Sequence, residues 1–549
     1  MNPTTTACDS RAPEDARFDA AVLFTLAFFA RLLVILQLRS DVLFSTPIVD
    51  AAAYADQARA LAAGAPVTEA LFWQPIFYPL YLSLVFRLAG PSLLAARLAQ
   101  ALLGSASCVL VYLLARRLGR RRTGLLAGLL LAFYGPVIAL ETDLLSEGWA
   151  VFWAALLLWL FTGAEPGTRP ARLGLLGACG GLAILTRPTF IPFVGGAAFW
   201  LTWKTIRARG WKPGLDAATI LAAGLLLVLL PAAALCRERT GRFTVLPSSS
   251  GVNLFLGNNP HWIETVSIRP GVEWTELFRE PQRAGLSDPW DQSDYFRQKV
   301  ADYVRARPDA FGLGLLQKTA RFFCSREIPR NHDLYLLRDA SPWLGVLMWK
   351  FGGLGFPFGV LFPLALIGLA TQGRRLGAPA LLFLGLYSIS VILVFVSDRY
   401  RLPLVPALAV AAALGLHWCW TSLASRRWGR GFAGLAAAAA VAALISVPRH
   451  YPEERLAFDA ERHWAVGKRL ASGGEAANAE AHLRRAAEIN PAMLDAWNDL
   501  GVLLEKAGRG AEAIESYRRA VALAPLNAGL RYNLGAALLE AGRSEEATQ

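Results

Sequence analysis

The chain has 549 residues, of which 54% are apolar and 18% are charged, with a mean hydropathy of +0.37. Globular proteins average about 45–50% apolar and about 25% charged residues, so this composition excludes a disordered chain. The net charge is +13, yet residues 1–452 hold 43 Lys and Arg against 27 Asp and Glu, and residues 453–549 hold 12 against 15. The basic excess therefore lies in the apolar part, as in cytoplasmic loops of membrane proteins, and we expect no nucleic-acid partner.

Apolar runs of about 17 to 25 residues are the expected unit of a membrane protein, because that length crosses a hydrocarbon core of about 30 Å. The first run is too long for a signal-peptide core and lacks a small-residue cleavage site, so we interpret it as a retained span. The chain has about eleven such runs, near residues 18–38, 92–115, 124–140, 146–163, 173–186, 189–203, 215–236, 354–371, 378–396, 402–421 and 431–447.

Basic residues mark one side of these predicted spans. Five loops between alternate spans carry sixteen Lys and Arg, which places those loops in the cytoplasm. If the amino terminus is cytoplasmic, the segments 39–91 and 237–342 and everything after residue 447 lie on the extracytoplasmic side of the membrane. The predicted fold class is all-α, a polytopic membrane helical bundle with an extracytoplasmic loop domain and a C-terminal α-solenoid.

The carboxyl-terminal part repeats itself with a period of 34 residues from residue 455 onward, the period of tetratricopeptide repeats. In the central copy Gly501 and Ala513 let two helices approach closely, and Leu504 and Tyr517 fill the space between them. A third copy stops at Gln549 before its second helix, so we expect either a truncated chain or a protein partner that covers the solenoid end. The predicted domains are a cytoplasmic tail (1–17), a membrane core in two parts (18–236, with the first outer loop 39–91, and 343–450), a loop domain (237–342) and the repeats (455–549).

The six cysteines show no metal-ligand spacing, so the sequence predicts no zinc site. Cys236 and Cys324 flank the long loop and could pair if that loop is extracytoplasmic. Carboxylates such as Asp50 and Asp143 could hold a divalent metal, although no ligand spacing demands one.

Ionisable and aromatic residues collect at the outer ends of the predicted spans. The small and apolar residues from Ala51 to Ala63 predict a surface-lying helix with Asp50 at its N-cap. Four further segments lie on the same face: Trp73-Gln-Pro-x-x-Tyr78-Pro, Glu141-Thr-Asp143-Leu-Leu-Ser-Glu147, Thr186-Arg187-Pro188 and Asp398-Arg399-Tyr400-Arg401-Leu-Pro403.

In this order, the segments resemble the C-type glycosyltransferase superfamily over about residues 18–450. Within it the chain resembles bacterial relatives of protein O-mannosyltransferases and of the lipid A aminoarabinose transferase, glycosyltransferase family 39-like. The resemblance implies an enzyme of the bacterial inner membrane that moves a sugar from a polyprenyl phosphate to a glycan, lipid or protein acceptor. It also implies that the repeats lie on the periplasmic side.

The resemblance further assigns roles to residues of this chain. Asp50 matches the first-loop acidic residue, which serves such enzymes as catalytic base or as acceptor-orienting group, and Glu141 or Asp143 matches the second-loop acidic position. Arg399 and Arg401 fall where the family places a basic group near the lipid phosphate. The remaining substrate-binding candidates are Tyr54, Gln74, Tyr78, Glu147 and Arg187.

The chemistry of such a transfer needs the same residue types. A carboxylate takes the proton of the acceptor, and a cation stabilises the departing phosphate. General-base catalysis contributes about 10²–10⁴-fold. Asp50 and either arginine could supply the two roles, and an activated donor requires no acid for its leaving phosphate.

Several of these candidate residues also have a purely structural interpretation. Arg399 and Arg401 also suit interfacial anchors, and Arg187 before Pro188 also suits a helix end. Glu147 also suits a helix cap. Gln74 and Tyr78 also suit loop packing, as Asn258 and Asn259 suit turn formation.

Two other function classes remain open at this stage. A ligase or polymerase of the O-antigen type would depend on basic and histidine residues of the large loop, which holds His261 and His332. A lipid-linked sugar flippase, or a scaffold docked through its repeats, would need no catalytic carboxylate. A flippase is expected to carry charges along its spans, and here they are few, with Arg31, Arg97 and Lys350 the exceptions.

Overall fold

The computed structural model describes residues 12–331, 333–447, 451 and 457–548. Helices form nearly all of the regular structure in these ranges. Eleven α-helices make up the first part of the bundle: α1 Ala12–Gln37, α2 Val42–Ser45, α3 Val49–Ala62, α4 Phe77–Ala89, α5 Leu93–Leu118, α6 Arg121–Ala132, α7 Gly135–Thr142, α8 Glu147–Thr162, α9 Pro170–Thr186, α10 Ile191–Arg209 and α11 Trp211–Thr240.

The second part of the bundle follows a short antiparallel hairpin of β1 (Trp349–Phe351) and β2 (Leu354–Phe356). Its helices are α19 Phe358–Leu382, α20 Ser388–Val394, α21 Asp398–Arg401, α22 Val405–Ala424 and α23 Trp428–Ile445. Between the two parts lie α12 Ser250–Leu256, α13 Trp262–Thr265, α14 Val272–Arg283, α15 Pro289–Ala306, α16 Pro308–Phe322, α17 Leu337–Ala340 and α18 Pro342–Leu347.

Six helices of the described ranges are long and apolar enough to cross a membrane, or seven when α6 and α7, bent by 49°, form one span. Three shorter apolar helices, α4, α8 and α9, accompany them. The prediction of a multi-pass helical membrane protein is therefore confirmed. The count of eleven spans stays a prediction, because helices such as α8, with 16 residues, are short for a full crossing.

The predicted runs 354–371 and 378–396 lie on either side of a kink in the helical stretch Phe358–Val394. A break interrupts it at Gly377, whose φ of +73° suits glycine, and Pro379 follows. A π-helical turn at Phe383–Tyr387 then leads into α20.

Glycine lets the central helices approach one another closely. A Cβ atom on Gly368 of α19 would lie 1.8 Å from the carbonyl oxygen of Ala411 in α22. On α9, a Cβ atom at Gly177 would lie 2.1 Å from the carbonyl oxygen of Leu221 in α11. Both pairs of helices therefore pack backbone to backbone, as small residues permit in membrane bundles.

The region between the two halves of the bundle is helical and is tied to α20. The Asn258 side chain donates to the carbonyls of Leu393 and Val394, at 2.9 and 3.2 Å, and Asn259 donates to Phe255 at 2.7 Å. Both side chains thus hold backbone, in agreement with their structural interpretation. Cys236 and Cys324 are free thiols. The disulfide considered from the sequence does not form, because the two residues are buried in separate apolar clusters.

The repeats form six antiparallel helices: α24 Phe458–Ser472, α25 Ala476–Ile489, α26 Leu494–Lys506, α27 Gly510–Leu523, α28 Ala528–Glu540 and α29 Ser544–Ala547. Tyr517 packs against Gly501 so closely that a Cβ atom there would lie 2.6 Å from its ring. Leu504 and Ala513 are buried beside them, so the predicted packing of the central repeat is confirmed. Gln549 lies outside the described residues.

Candidate active site

Asp50 lies in the first turn of α3, one residue after the helix begins. The predicted N-cap role is wrong, because the N-cap position belongs to Ile48. The Asp50 carboxylate instead accepts three side-chain hydrogen bonds: from Gln74 at 2.6 Å, from Arg399 at 2.7 Å and from Asn331 at 3.0 Å. These donors come from three separate segments of the chain, so the tertiary fold and not the local helix positions the carboxylate.

The charge state of Asp50 follows from these contacts. Burial alone would raise the pKa of its carboxyl, but the positive charge of Arg399 and the hydrogen bonds outweigh burial and hold that pKa below its ordinary value. Gln74 also accepts a hydrogen bond from the hydroxyl of Tyr54, one turn further along α3. Asp50 is therefore an oriented carboxylate that is ionised at neutral pH.

A second carboxylate–arginine pair lies beside the pair of Asp50 and Arg399. Arg187 donates to Glu147 in a buried ion pair, and the Arg399 Nε lies 3.8 Å from the same carboxylate oxygen. The guanidinium carbons of Arg187 and Arg399 stand 4.7 and 5.1 Å from the centre of the Tyr400 ring. Glu147 therefore holds the two arginines together.

Some N–H groups of these arginines have no hydrogen-bond partner. They are Nε and Nη1 of Arg187 and Nε of Arg399, each buried. Buried polar groups are usually hydrogen-bonded, so an unpaired set on two adjacent cations is suited to an anionic ligand.

The residues of both groups line one cavity of about 470 Å³. Its charged lining consists of five arginines and three carboxylates, namely Arg187, Arg269, Arg330, Arg399, Arg462, Asp50, Glu147 and Glu461. Apolar side chains of α20 and the turn after it, such as Val391, Val394 and Phe395, line another part. The cavity can therefore receive a ligand that is anionic on one side and apolar on another.

Two of the predicted acids lie elsewhere. Glu141 pairs with Arg31 at 2.6 Å, and their side chains are only 2% and 1% exposed. The Asp143 carboxylate accepts from the backbone N–H of Leu144 at 2.9 Å. Neither Glu141 nor Asp143 lines the cavity. Their predicted catalytic role stays a prediction.

Two further candidates are buried beside the site without lining it. Tyr78 donates to Gln100, and its ring packs 5.1 Å from that of Tyr54. Arg401 donates to the carbonyls of Phe322 and Cys324, at 3.1 and 2.6 Å. It also pairs with Glu327 at 2.6 Å and so joins α21 to the loop before α17. Of the two candidate arginines at the DRYR segment, Arg399 alone faces the cavity.

Of the two large-loop histidines, the structure describes His261, which does not line the cavity. His261 is exposed and lies 3.8 Å from Glu264, and His332 lies outside the described residues. No group of three or more His, Cys, Asp or Glu able to hold a metal ion occurs in the described ranges.

Sequence reasoning missed two contributions to the cavity. Asn331 adjoins the noted His332 but belongs to none of the recognised segments. The first repeat helix lines the cavity through Phe458, Glu461, Arg462, Trp464 and Ala465. A repeat pattern reports the internal packing of a solenoid and contains no signal for what its first helix contacts.

Residues 73–234 match the family model of the dolichyl-phosphate-mannose-protein mannosyltransferases. The match covers less than a third of the chain, and over these residues the chain is similar to that family. The match covers Gln74, Glu147 and Arg187, and the resemblance predicted from the sequence is confirmed. Residues 494–525 and 516–549 match tetratricopeptide repeat models. No curated protein matches the chain.

Solved structures to which the chain is similar include ArnT from Cupriavidus metallidurans bound to undecaprenyl phosphate. It is 20% identical, with 93% of this chain and 77% of that chain covered and a TM-score of 0.41. The oligosaccharyltransferase of Archaeoglobus fulgidus is 15% identical, with a TM-score of 0.43, 78% of this chain covered and 56% of that chain. The chain thus spans little more than half the length of the archaeal enzyme.

Proposed function

We propose that the protein transfers a sugar from a polyprenyl-phosphate donor to a hydroxyl group of an extracytoplasmic glycan, lipid or protein acceptor. The observation that carries this proposal is the Asp50–Arg399 pair, which lines a cavity with more arginines than carboxylates. A base and a phosphate-binding cation stand side by side there. The similarity of residues 73–234 to the mannosyltransferase family model supports the same reaction class.

In the proposed reaction the acceptor oxygen attacks the anomeric carbon of the donor sugar. The bond from that carbon to the phosphate oxygen breaks, and its electron pair leaves with the polyprenyl phosphate. Asp50 takes the acceptor proton, while Arg399 and Arg187 stabilise the charge that develops on the phosphate. No additional proton donor is needed, because the phosphate is a good leaving group.

The basicity of Asp50 depends on its contact with Arg399. Arg399 pairs with Asp50 at 2.7 Å, and its Nε has no hydrogen-bond partner. A donor phosphate competes for this guanidinium and draws positive charge away from the carboxylate. Asp50 then becomes a stronger base, while Gln74 continues to orient it through the other oxygen. Donor binding thus prepares the base for the acceptor.

Binding of the donor tail and the membrane location are part of the proposal. Val391, Val394 and Phe395 provide apolar lining on the α20 side of the cavity. A polyprenyl tail would extend from there towards the lipid between helices. We assign the protein to the bacterial inner membrane, with α3, the cavity and the repeats on the periplasmic side.

The test is sugar transfer by purified protein in lipid nanodiscs. Labelled synthetic polyprenyl-phosphate sugars serve as donors, and outer-membrane or cell-wall glycan, lipid and protein fractions serve as acceptors. Asp50→Ala is compared with Asp216→Ala, which changes an exposed carboxylate of α11 outside the cavity. We expect loss of transfer in Asp50→Ala alone, with binding of polyprenyl phosphate retained. Transfer that survives Asp50→Ala contradicts the role of Asp50.

The same preparation tests the alternative reaction. Wild-type protein that fails with every polyprenyl-phosphate sugar but joins glycans carried on a lipid diphosphate would contradict the proposed donor. Dependence of that joining on His261 would then assign the chemistry to the large loop.

A further inference from the structure

The first repeat helix, α24, forms part of the wall of the cavity. Five of its residues line it, and they lie on one face of the helix, within eight positions: Phe458, Glu461, Arg462, Trp464 and Ala465. Trp464 is also fixed from the repeat side, because its indole N–H donates to Asp499 at 2.8 Å. The wall is therefore made of residues that the solenoid itself holds in place.

Ion pairs fasten α24 to the segments around Asp50. Arg462 donates to Asp41, at the N-cap of α2, at 3.0 Å. Arg469 makes two hydrogen bonds of 2.5 Å each to the carboxylate of Asp56, which lies on α3. The repeats thus contact the same helix that carries Asp50.

The loop region is held to the repeats as well. The backbone N–H of Val272 donates to Asp495 of α26 at 3.0 Å, and Arg269 lies 3.6 Å from the carboxylate of Glu461. The Arg269 guanidinium stands 4.5 Å from the Phe458 ring. The membrane helices, the loop region and the repeats therefore all contribute residues around the same cavity.

A second cavity of about 570 Å³ lies between α14 and the repeats. Pro270 and Trp274 line both cavities, so the two spaces adjoin at these residues. The repeat side of the second cavity carries more amide and hydroxyl groups than charged ones: Asn498, Asn527, Tyr532 and Asn533 beside Lys468, Asp495 and Asp499. Such a lining suits an uncharged polar chain.

Building on the proposed function, we propose that α24 closes the acceptor side of the active site and that the hydroxyl-bearing acceptor reaches Asp50 along this second cavity. The donor is assigned to the opposite side, where Val391, Val394 and Phe395 form an apolar lining. On that side Arg187 and Arg399 also carry N–H groups without a hydrogen-bond partner, which suit a phosphate. The repeat domain is then a specificity-determining part of the enzyme. Glu461 and Ala465 face the acceptor.

A larger side chain at Ala465 tests this assignment. We expect Ala465→Phe to raise the KM for the acceptor at least tenfold, while the Kd of polyprenyl phosphate changes less than twofold. Ala477→Phe is the matched control, because Ala477 is exposed on α25 and lines neither cavity. An unchanged acceptor KM in Ala465→Phe overturns the inference, and so does an equal rise in Ala477→Phe.

A charge exchange tests the docking of the repeats separately. Asp56→Arg places two cations together and should raise the acceptor KM several-fold, because it removes a bidentate pair and adds repulsion. Asp56→Arg combined with Arg469→Asp restores opposite charges and should restore the KM. If the double variant remains as impaired as the single one, the pair does not act through docking.

A labelling experiment separates failure of this inference from failure of the proposed function. Ala465→Cys and Ala477→Cys are treated with a membrane-impermeant maleimide, with and without polyprenyl phosphate and acceptor fractions. We expect slow labelling at position 465, slowed further by acceptor, and fast labelling at position 477. Equal labelling at both positions overturns the inference whatever the activity. If position 465 is labelled slowly but the protein has no transferase activity, the inference about α24 stands and only the proposed function is rejected.

Discussion

Two buried or half-buried acid–arginine pairs occupy the two places where the sequence predicted catalytic acids, and their surroundings differ. Asp50 and Arg399 are 16% and 12% exposed and line a cavity. Glu141 and Arg31 are 2% and 1% exposed and lie outside that cavity, within the helix bundle. The residue types and separations are nearly the same, at 2.7 and 2.6 Å. Access to a ligand is what distinguishes the two pairs.

The space around the inner pair is also filled. A Cβ atom on Gly104 of α5 would lie 2.4 Å from both carboxylate oxygens of Glu141. Arg31 also donates to the carbonyls of Ala27 and Ala132, at 3.2 and 3.5 Å. An ion pair enclosed in this way holds helices in register, whereas in the pair at Asp50 the Nε–H of the arginine has no hydrogen-bond partner.

The largest expected effect is on the outer pair. Asp50→Asn keeps the shape of the side chain but cannot take a proton, so we expect kcat for sugar transfer to fall by about 10²–10⁴-fold. Its thermal midpoint in detergent should stay close to that of the wild type. Glu141→Gln, assayed as folded protein, should retain most of its kcat. Loss of kcat in folded Glu141→Gln would instead support the predicted catalytic role of Glu141.

The inner pair should respond in stability. Glu141→Gln leaves the Arg31 charge buried without its counter-ion, and such a loss costs about 3–5 kcal/mol. The measurement is thermal unfolding followed by tryptophan fluorescence in detergent. Replacing both residues, as Arg31→Met with Glu141→Leu, should recover most of the lost stability, because no buried charge remains. A double variant as unstable as the single one would show that the enclosed charges are not the cause.

These contrasts show what the sequence could and could not predict. Hydropathy located the long helices, since a span must be apolar over its length, and the period of 34 located the repeats. The candidate arginines Arg399 and Arg401 are two residues apart, yet one faces the cavity and the other holds the carbonyls of Phe322 and Cys324. Which way a side chain points at a helix end depends on distant segments, and no local pattern contains that information. For the same reason, no local pattern predicts that Asn331 or the residues of α24 line the cavity.

The two arginines offer the next comparison. Arg399→Gln removes the cation next to Asp50, so we expect donor affinity to fall by about tenfold, the loss of roughly 1.4 kcal/mol from a charge-assisted contact. Without this positive charge the pKa of Asp50 rises, so the acid limb of the pH–rate profile moves to higher pH. Arg401→Gln should lower the thermal midpoint and leave the acid limb in place. An unshifted limb in Arg399→Gln would show that Asp50 does not control it.

The smallest expected effect concerns the support of the base. Tyr54 donates its hydroxyl to Gln74, which in turn donates to Asp50 at 2.6 Å, so Tyr54 acts on the carboxylate only through an intermediate side chain. Tyr54→Phe keeps the ring that packs on Tyr78 and removes this one hydrogen bond, worth about 0.5–1.5 kcal/mol. We expect a fall in kcat of about three- to tenfold with an unchanged donor Kd. Tyr81→Phe, on α4 and outside the cavity, is the control and should show neither change. A fall as large as that of Asp50→Asn would mean that Tyr54 itself contacts the reacting groups.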